Sequence, residues 1–571
     1  MKKIFSVLLI GSLSLSTMLF TACIDEVEPT DGATQEQIDK SISAKAASLW
    51  SSAAFENKYE VATTEHFDWG LGSIMHIRDV MTEDLAVAAS NYDHYSRWGR
   101  NQYLGKDYVF AGFPWVFYNK WVQTANKTIA SMDEATASEV EKGYIGAAYA
   151  FRALIYLDMA RMYEYLPCKA TSNINTDGND VLGLTVPIVT EKTTEEEAKN
   201  NPRASHNRMF KFILSDLDKA EELIPNLTIN NPVIPNLAVV YGLKARLYLW
   251  NASYQEELGG KETKARGAGV EEPLDSETGE EVEMTPDELD PMKQYAQAQH
   301  YAHIAINDGV YSPVTKDEWF NITTGFNTPT SAWMLSSQQV KENDVVQSGI
   351  LNWTSWMCNE TSYGYAGAGA ASMVGKAFYE RIFNSDWRKL SWVAPEGSKL
   401  RKQNTFVDPI FEGMDEYYSL KFRPGMGNFT DYQVGSATAY PLMRVEEMYF
   451  IEAEAAAHQD AAAGKALLED FMREYRYDSY ACMADDVDGV VEEIVFQKRV
   501  ELWGEGQSYF DIKRLNYSVT RKYDESNFAD LAQMNTTGRP AWMNFVIVRT
   551  EEANNKGVKG WNNPDPSGKE Q

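Results

Sequence analysis

Apolar residues recur at helical spacing, in paired segments, along most of this chain, and that recurrence restricts the fold more than any other feature. In "FPWVFYNKWVQTANKTIASM", Phe117, Trp121, Ala125, Ile129 and Met132 make one stripe. "KGYIGAAYAFRALIYLDMARMYEYLP" follows, with Ile145, Ala148, Arg152, Ile155, Met159 and Met162 on a related face and Pro167 closing it. The pairing repeats in "RMFKFILSDLDKAEELIP" and "PNLAVVYGLKARLYLWNASY". Further helices are expected at Gln35 to Leu49, "PMKQYAQAQHYAHIAINDGVY", "AYPLMRVEEMYFIEAEAAAH" and "VEEIVFQKRVELWGEGQSYFDIKRL". A striped helix must bury its apolar side against another element. Alanines at close-packing positions suit helical hairpins stacked on one another, a tetratricopeptide-like arrangement with degenerate repeats.

Two stretches break the pattern. From about Gly259 to Pro291 the chain is acidic and poor in apolar residues, so it reads as a solvated loop. From Tyr311 to Ala439 helical periodicity gives way to Gly, Asn, Trp and Tyr, which predicts irregular loops with short strands. The expected fold class is therefore mainly α, a helical hairpin scaffold with a long loop-rich insertion. The expected divisions are 35–310 for the N-terminal helical part, with the acidic insertion at about 259–291, then 311–439 for the variable region and 440–571 for the C-terminal helices.

The start of the chain reads as targeting sequence. Lys2 and Lys3 precede an apolar run from Ile4 to Phe20, too short and serine-rich for a membrane span. Phe20-Thr21-Ala22-Cys23 resembles a bacterial lipobox, with Phe20 where leucine is usual. Residues 1–22 are then a lipoprotein signal peptide, Cys23 is the acylated residue and 23–34 is a tether. The other reading is an ordinary secretory signal, with Cys23 incidental. Beyond it only Cys168, Cys358 and Cys482 remain, which excludes a disulfide scaffold. A net charge of −29, from 53 Lys+Arg against 82 Asp+Glu, disfavours nucleic acid and anionic lipid as partners.

No pattern of catalytic residues emerges. The chain lacks a Gly-x-Ser-x-Gly elbow, a His-Glu-x-x-His zinc helix and a Gly-x-x-x-x-Gly-Lys phosphate loop. Candidate carboxylate pairs carry no information among 82 acids. His300 and His303 share a helix face, but no carboxylate motif adjoins them. "DDVDG" at Asp485 to Gly489 fails as a calcium loop, since its first and twelfth positions fall on Ala484 and Val495. No metal or cofactor is expected.

The chain holds 15 Trp and 31 Tyr, more than a core alone needs. Flat aromatic faces suit sugar rings, whose hydroxyls need polar side chains nearby. Tyr92, Tyr95, Trp98, Trp333, Trp353, Trp356, Tyr363 and Tyr365 fall in loop-like settings. Asn91, Asp93, Arg97, Asn101 and Asn352 could read hydroxyls beside them. Any single ring can instead fill a loop-domain core; the cluster as a whole is expected to leave an exposed platform. Trp98 and the 353–365 loop are expected to converge on one shallow site, with Trp353 or Trp356 stacking on the ligand. Gly364, Gly367 and Gly369 would let that loop bend.

The last two helical segments carry a resemblance. "RVEEMYFIEAEA", with Arg444, Glu447, Ala453, Glu454 and Ala455, is similar to the signature helix of the SusD/RagB family of nutrient-binding lipoproteins of Bacteroidetes. "RVELWGEGQSYFDIKR" resembles its second signature through Arg499, Glu501, Leu502, Glu505, Gly506, Phe510, Asp511 and Arg514. It departs at Gly504, Gln507-Ser508 and Leu515, where an aromatic, His-Arg and Trp are usual. Four earlier helices match in the same order. The resemblance implies a non-catalytic, lipid-anchored protein on the outer face of the outer membrane. It implies capture of a glycan, or alternatively a peptide, and delivery to a SusC-type TonB-dependent transporter. A surface glycan-degrading enzyme is the rival class. From spacing alone, Arg444, Glu447, Glu454, Arg499, Glu501, Glu505, Gly506 and Asp511 are expected to form a buried arginine–carboxylate network that pins two helices.

Overall fold

The scaffold is built by helices that each pack on the next in sequence. The computed structural model describes residues 42–53, 65–131, 136–227, 231–259, 283–307, 311–342 and 344–569. The signal, Cys23, the tether, residues 35–41 of the first expected helix, Met132 and most of the acidic insertion lie outside the described residues. The longer helices of the first half are α1 (Ile42–Ser52), α2 (Gly70–Val80), α3 (Val109–Ala130), α4 (Glu139–Tyr163), α5 (His206–Leu223), α6 (Leu237–Leu258) and α7 (Pro291–Asn307). Those of the second half are α8 (Val445–Gln459), α9 (Ala461–Tyr475), α10 (Val487–Glu501) and α11 (Ser508–Arg514).

Packing runs α3 on α4, α4 on α5, α5 on α6, α6 on α7 and α7 on α8, while α1 covers α3 and α4. Start signals are local: Ser138 and Glu141 close a capping box at α4, and Ser205 and Asn236 cap α5 and α6. Phe117, Trp121, Ala125 and Ile129 of α3 are buried, as are Ile145, Ala148, Ile155, Met159 and Met162 of α4. Arg152, on the same stripe, is buried because Asp216 of α5 and Glu191 pair with it. Asp486 of the "DDVDG" run caps α10 by accepting the Gly489 N–H. His303 pairs with Glu452 of α8 at 2.8 Å.

Two small antiparallel ladders stitch the loop-rich region to the helices. β1 (Leu85–Val87) pairs with β3 (Ser372–Val374), setting Leu85 opposite Val374 and Val87 opposite Ser372. β2 (Trp333–Gln338) pairs with β4 (Ala439–Arg444), from Trp333 opposite Arg444 to Gln338 opposite Ala439, with bulges near Leu335. The principal core runs from α1 through the loop-rich region to Val558, and the described residues from Ile42 onward cluster as one compact unit.

The signature segments meet at a buried charge network wider than their spacing suggests. Arg444 is the last residue of β4; it contacts Glu446 (2.8 Å), Glu501 (3.2 Å) and Glu505 (2.9 Å). Glu501 also receives Arg476 of the segment after α9 (2.7 Å) and Arg388 of the loop-rich region (2.9 Å), and Lys421 closes on Glu505 (2.7 Å). Two pairings differ from expectation. Glu447 turns away from Arg444 to Arg246 of α6, and Arg499 pairs not with its neighbours on α10 but with Glu83 and Asp84 beside β1. Glu454 and Asp511 both hold Arg514. The network thus ties α6, α8, α10, α11 and the loop-rich region, not two helices alone. After α10 the chain turns at Gly504 and Gly506, both with positive φ (76° and 68°). A side chain at 504 would meet Met357 and Phe422, so the aromatic usual in the signature has no room; the Gly506 N–H donates to Asp79.

Candidate functional site

The segment between α2 and α3 lies against the loop around Tyr365, and there the expected aromatic residues come together. Tyr95 stands edge-on to Trp356 at 5.5 Å between ring centroids, Tyr92 edge-on to Tyr365 at 5.3 Å, and Trp98 lies 6.0 Å from Tyr95. The convergence of the Trp98 segment with the 353–365 loop is therefore present in the structure. Trp333 and Tyr363 are elsewhere: Trp333 neighbours Phe326, and Tyr363 faces Tyr432.

Exposure is where the expectation fails. Trp98, Trp353 and Trp356 are each 1 % exposed, and Trp333, Tyr95 and Tyr365 are equally buried. Trp353 stacks on Tyr440 and packs against Gly72; Trp98 packs edge-on to Phe67 and Phe110. A loop-rich region has few helices with which to build a core, so large flat rings fill it, and the surplus of aromatics goes inward. Neither Trp353 nor Trp356 offers a face to a ligand. Two expected hydroxyl readers are also structural. Asn352 caps a short helix by accepting the Ser355 N–H, and buried Asn101 donates to the Pro566 carbonyl at 2.8 Å. Among the candidates, Asn91 is exposed and Tyr92, Asp93, Arg97 and Tyr363 are half-buried.

Two aromatic groups do reach the surface beside this core. His66 and His94 stack face to face at 3.6 Å, with Tyr92 edge-on to both and the Tyr365 hydroxyl 3.1 Å from His66 Nδ1. Burial, with His94 beside it, lowers His66 to about 4, so both rings are neutral at pH 7; His94 is lowered by burial as well. Asp93, drawn inward under the same loop, is raised by burial to about 6. The second group is Tyr103 and Tyr108, 44 % and 42 % exposed, with centroids 5.0 Å apart and the Arg97 guanidinium 5.0 Å over the Tyr103 ring. Arg97 also donates to the Gln102 side chain (3.0 Å).

The loop carrying these rings is braced by the C-terminal segment. Besides the Asn101 bond, the Leu104 N–H donates to Ser567 and the Gly568 N–H to the Asn101 carbonyl. A Cβ at Gly105 would lie 2.1 Å from the Asp565 carboxylate, so only glycine admits this close approach. Sequence reasoning missed Tyr103, Tyr108, His66 and His94. Tyr103 and His94 sit inside "NYDHYSRWGRNQYLG", and their tyrosine and histidine neighbours were the available signal; the brace, more than 460 positions away, had none. The arrangement presents flat faces, a guanidinium and amides on a held loop, which is equipment for recognition. Among the described residues no group of three His, Cys, Asp or Glu is placed to hold a metal ion, and no helix is long and apolar enough to cross a membrane.

Comparison with known proteins agrees with this architecture. Residues 37–249 match a family model described as starch-binding associating with outer membrane, and residues 250–564 match the model of the SusD family. The chain is similar to the crystal structure of a SusD-like carbohydrate binding protein from Bacteroides vulgatus, at 19 % identity and a TM-score of 0.64, covering 91 % of this chain and 96 % of that one. It is also similar to a SusD superfamily protein from Bacteroides thetaiotaomicron (16 %, TM-score 0.63, 92 % and 99 % covered) and to one from Parabacteroides distasonis (15 %, TM-score 0.59, 90 % and 98 % covered). No curated protein matches the chain. With family models matched across both halves and the same fold in these solved structures, the chain belongs to the SusD/RagB family.

Proposed function

We propose that this protein is a non-catalytic glycan-capture lipoprotein of the cell surface, which holds oligosaccharide at the Tyr103–Tyr108 face and passes it to a SusC-type TonB-dependent transporter. The observation that carries the reading is that exposed pair on a braced loop. Two aromatic faces beside Arg97 and Gln102 match the two needs of a sugar ring, an apolar C–H face and hydroxyl partners. Because Asn101 and the 565–569 segment already hold the loop, little ordering cost opposes binding. The family description of starch binding at the outer membrane supports a glycan over a peptide. Cys23 supplies the lipid anchor, and the acidic run after it directs the protein to the cell exterior. The stacked helical half offers the docking surface for the transporter.

The test is a glycan array on the purified protein, then calorimetry of the best oligosaccharide against Tyr103→Ala and Tyr108→Ala. Each variant is expected to melt like the parent and to bind about tenfold more weakly, a loss of ~1.4 kcal/mol. Unchanged binding in both variants overturns the assignment of this face. Release of reducing ends on incubation would instead favour the hydrolase.

A further inference from the structure

A cavity lined by none of the expected aromatic residues lies where β1 and the turn after it face the one-turn helix Ser96–Gly99 and the loop that follows Arg521. The centre of a water-sized sphere has about 30 Å³ in which to move there. One water needs about 10–15 Å³, so the space takes two small polar groups side by side. Ser96 and Arg100, four positions apart on one side of the helical turn, both border it, as do Ser90 and Asp93. Arg97, one step round the same turn, faces Tyr103 instead. One short segment thus serves two places.

The polar lining has unused capacity. Among the described residues the Arg100 guanidinium makes no hydrogen bond or ion pair, and the Ser96 hydroxyl makes no hydrogen bond. Ser90 accepts the Tyr92 N–H (3.0 Å) and keeps its own proton to donate. Asp93 accepts the Tyr95 N–H on Oδ1 (2.9 Å), and a carboxylate has about four acceptor sites, so capacity is left over. Arg521 also borders the space, but it is spent on the carbonyls of Val80, Thr82 and Gly99. Val87, Phe528, Ala529 and Ala532 make the rest of the lining apolar. Burial raises Asp93 to about 6 against the pull of the Tyr95 N–H and Arg100, so at pH 7 it is an anion beside a cation. Those two charges cancel. An anionic ligand would meet Asp93 and a cationic one Arg100, whereas a neutral ligand with both donors and acceptors can use the two together.

We propose that this cavity is a second sugar subsite, which takes two adjacent hydroxyls of one neutral monosaccharide residue. Asp93 accepts from the hydroxyls, Arg100 donates to them, and Ser90 and Ser96 complete the polar side. The C–H edge of the sugar ring rests on Phe528, Ala529 and Ala532. Two hydroxyls replace two waters and repeat their hydrogen bonds, so little is lost on displacement. The subsite rests on the glycan reading above and extends it. The segment that presents Arg97 to the Tyr103–Tyr108 face presents Ser96 and Arg100 to the cavity, so one loop carries both a stacking contact and a hydroxyl-reading one.

The test is saturation-transfer NMR and calorimetry on the purified protein. The probes are the methyl α-glycosides of glucose, mannose and galactose, with methoxytetrahydropyran, which has the ring but no hydroxyls, as control. At least one glycoside is expected to bind with millimolar strength and the control not to bind. Arg100→Ala and Asp93→Asn should each weaken that binding about tenfold, and Ala532→Phe, which fills the space, should abolish it. Tyr103→Ala should leave it unchanged. Asp93→Asn keeps the acceptor for the Tyr95 N–H, so D93N and A532F decide if R100A does not fold. Three results overturn the subsite: no glycoside binds, the control binds equally well, or binding is the same in all three cavity variants. Oligosaccharide binding that is lost in Tyr103→Ala but indifferent to the cavity variants overturns the subsite and leaves the glycan reading standing. An array on which no glycan binds removes that reading and the subsite with it.

Discussion

Glu501→Gln is the sharpest test of the signature network. The carboxylate is completely buried and receives Arg388, Arg444 and Arg476. Burial alone would raise its pKa, but Arg476, Arg444 and Arg388 together hold it far below the ordinary carboxylate range. The substitution keeps the shape and one acceptor oxygen but removes the charge, so Arg388, Arg444 and Arg476 lose the carboxylate they share. Breaking a buried pair in this way costs about 3–5 kcal/mol. For a folded unit of roughly 530 residues, an unfolding entropy of ~2.1 cal/mol/K per residue gives about 1.1 kcal/mol/K, so the melting temperature should fall by about 3–5 °C. The sign with pH follows from the depressed folded value: the contribution is complete above the unfolded pKa of about 4.5 and is lost as pH falls further. Calorimetry at pH 7 on E501Q and on E501Q/R476Q is the assay; the double variant restores balance and should lose less than the sum of the two single changes. Melting of E501Q within ~0.5 °C of the parent would refute the charge-balance reasoning. Normal melting with lost glycan binding would make the signature a binding site.

His76 is fully buried, edge-on to Tyr95 at 4.5 Å, and burial lowers it to about 3. The unfolded chain therefore takes up the proton first, and stability should fall by up to about 1.4 kcal/mol per pH unit as pH drops below ~6.5. Asp93, raised to about 6, acts in the opposite sense, so the comparison is of His76→Gln with the parent between pH 7 and 5, where only the parent should show the His76 slope. Cys23→Ala should release the protein from the outer-membrane fraction; retention there, with protease accessibility on whole cells, contradicts the lipobox reading. Mild-detergent extraction with an affinity tag should co-purify a barrel of TonB-dependent size, over an interface larger than the roughly 1,200–2,000 Å² of a standard complex. Recovery of this protein alone, under conditions that preserve known outer-membrane complexes, counts against the partner.

The helices were legible because their signals are local. The stripe from Phe117 to Ile129, the stripe from Ile145 to Met162 and Pro167 after α4 all act within a few turns, and the structure places α3 and α4 accordingly. Short strands were expected within 311–439, where β2 and β3 lie, but their pairing was not legible: β1 finds its partner at Ser372–Val374 with nothing near Leu85 to announce it, and β4 occupies the start of the expected helix "AYPLMRVEEMYFIEAEAAAH". Arg444 and Arg499 were readable as buried, and Arg444 meets Glu501 and Glu505 of the expected set, but the partners of Glu447 and Arg499 were not readable. Proximity along a helix suggested Glu447 for Arg444 and α10 neighbours for Arg499, whereas Glu447 goes to Arg246 and Arg499 to Asp84 and Glu83. For the aromatics, sequence gave residue type and neighbourhood without facing direction. "WTSWM" and "SRWG" have no period that separates inside from outside, so Trp353, Trp356 and Trp98 could not be told from the exposed Tyr103.

With the Tyr103–Tyr108 face as the proposed glycan site, those buried rings would bear on recognition through the stiffness of what they support. Trp98 packs under the loop between α2 and α3, Tyr95 donates through its hydroxyl to the His66 carbonyl, and Asn101 locks the loop to Pro566. Asn101 and Tyr103 both adopt positive φ (49° and 61°), backbone states that cost free energy in non-glycine residues and persist where surrounding contacts hold them. Here the C-terminal brace and the Trp98 core supply that hold, and the consequence is a Tyr103 ring turned outward over Arg97 instead of folded into the core. A substitution such as Trp98→Ala would therefore act on binding through loop order and on melting through a cavity, both at once. Tyr103→Ala would act on binding alone. That difference in coupled readouts separates a ring that touches ligand from a ring that positions the one that does.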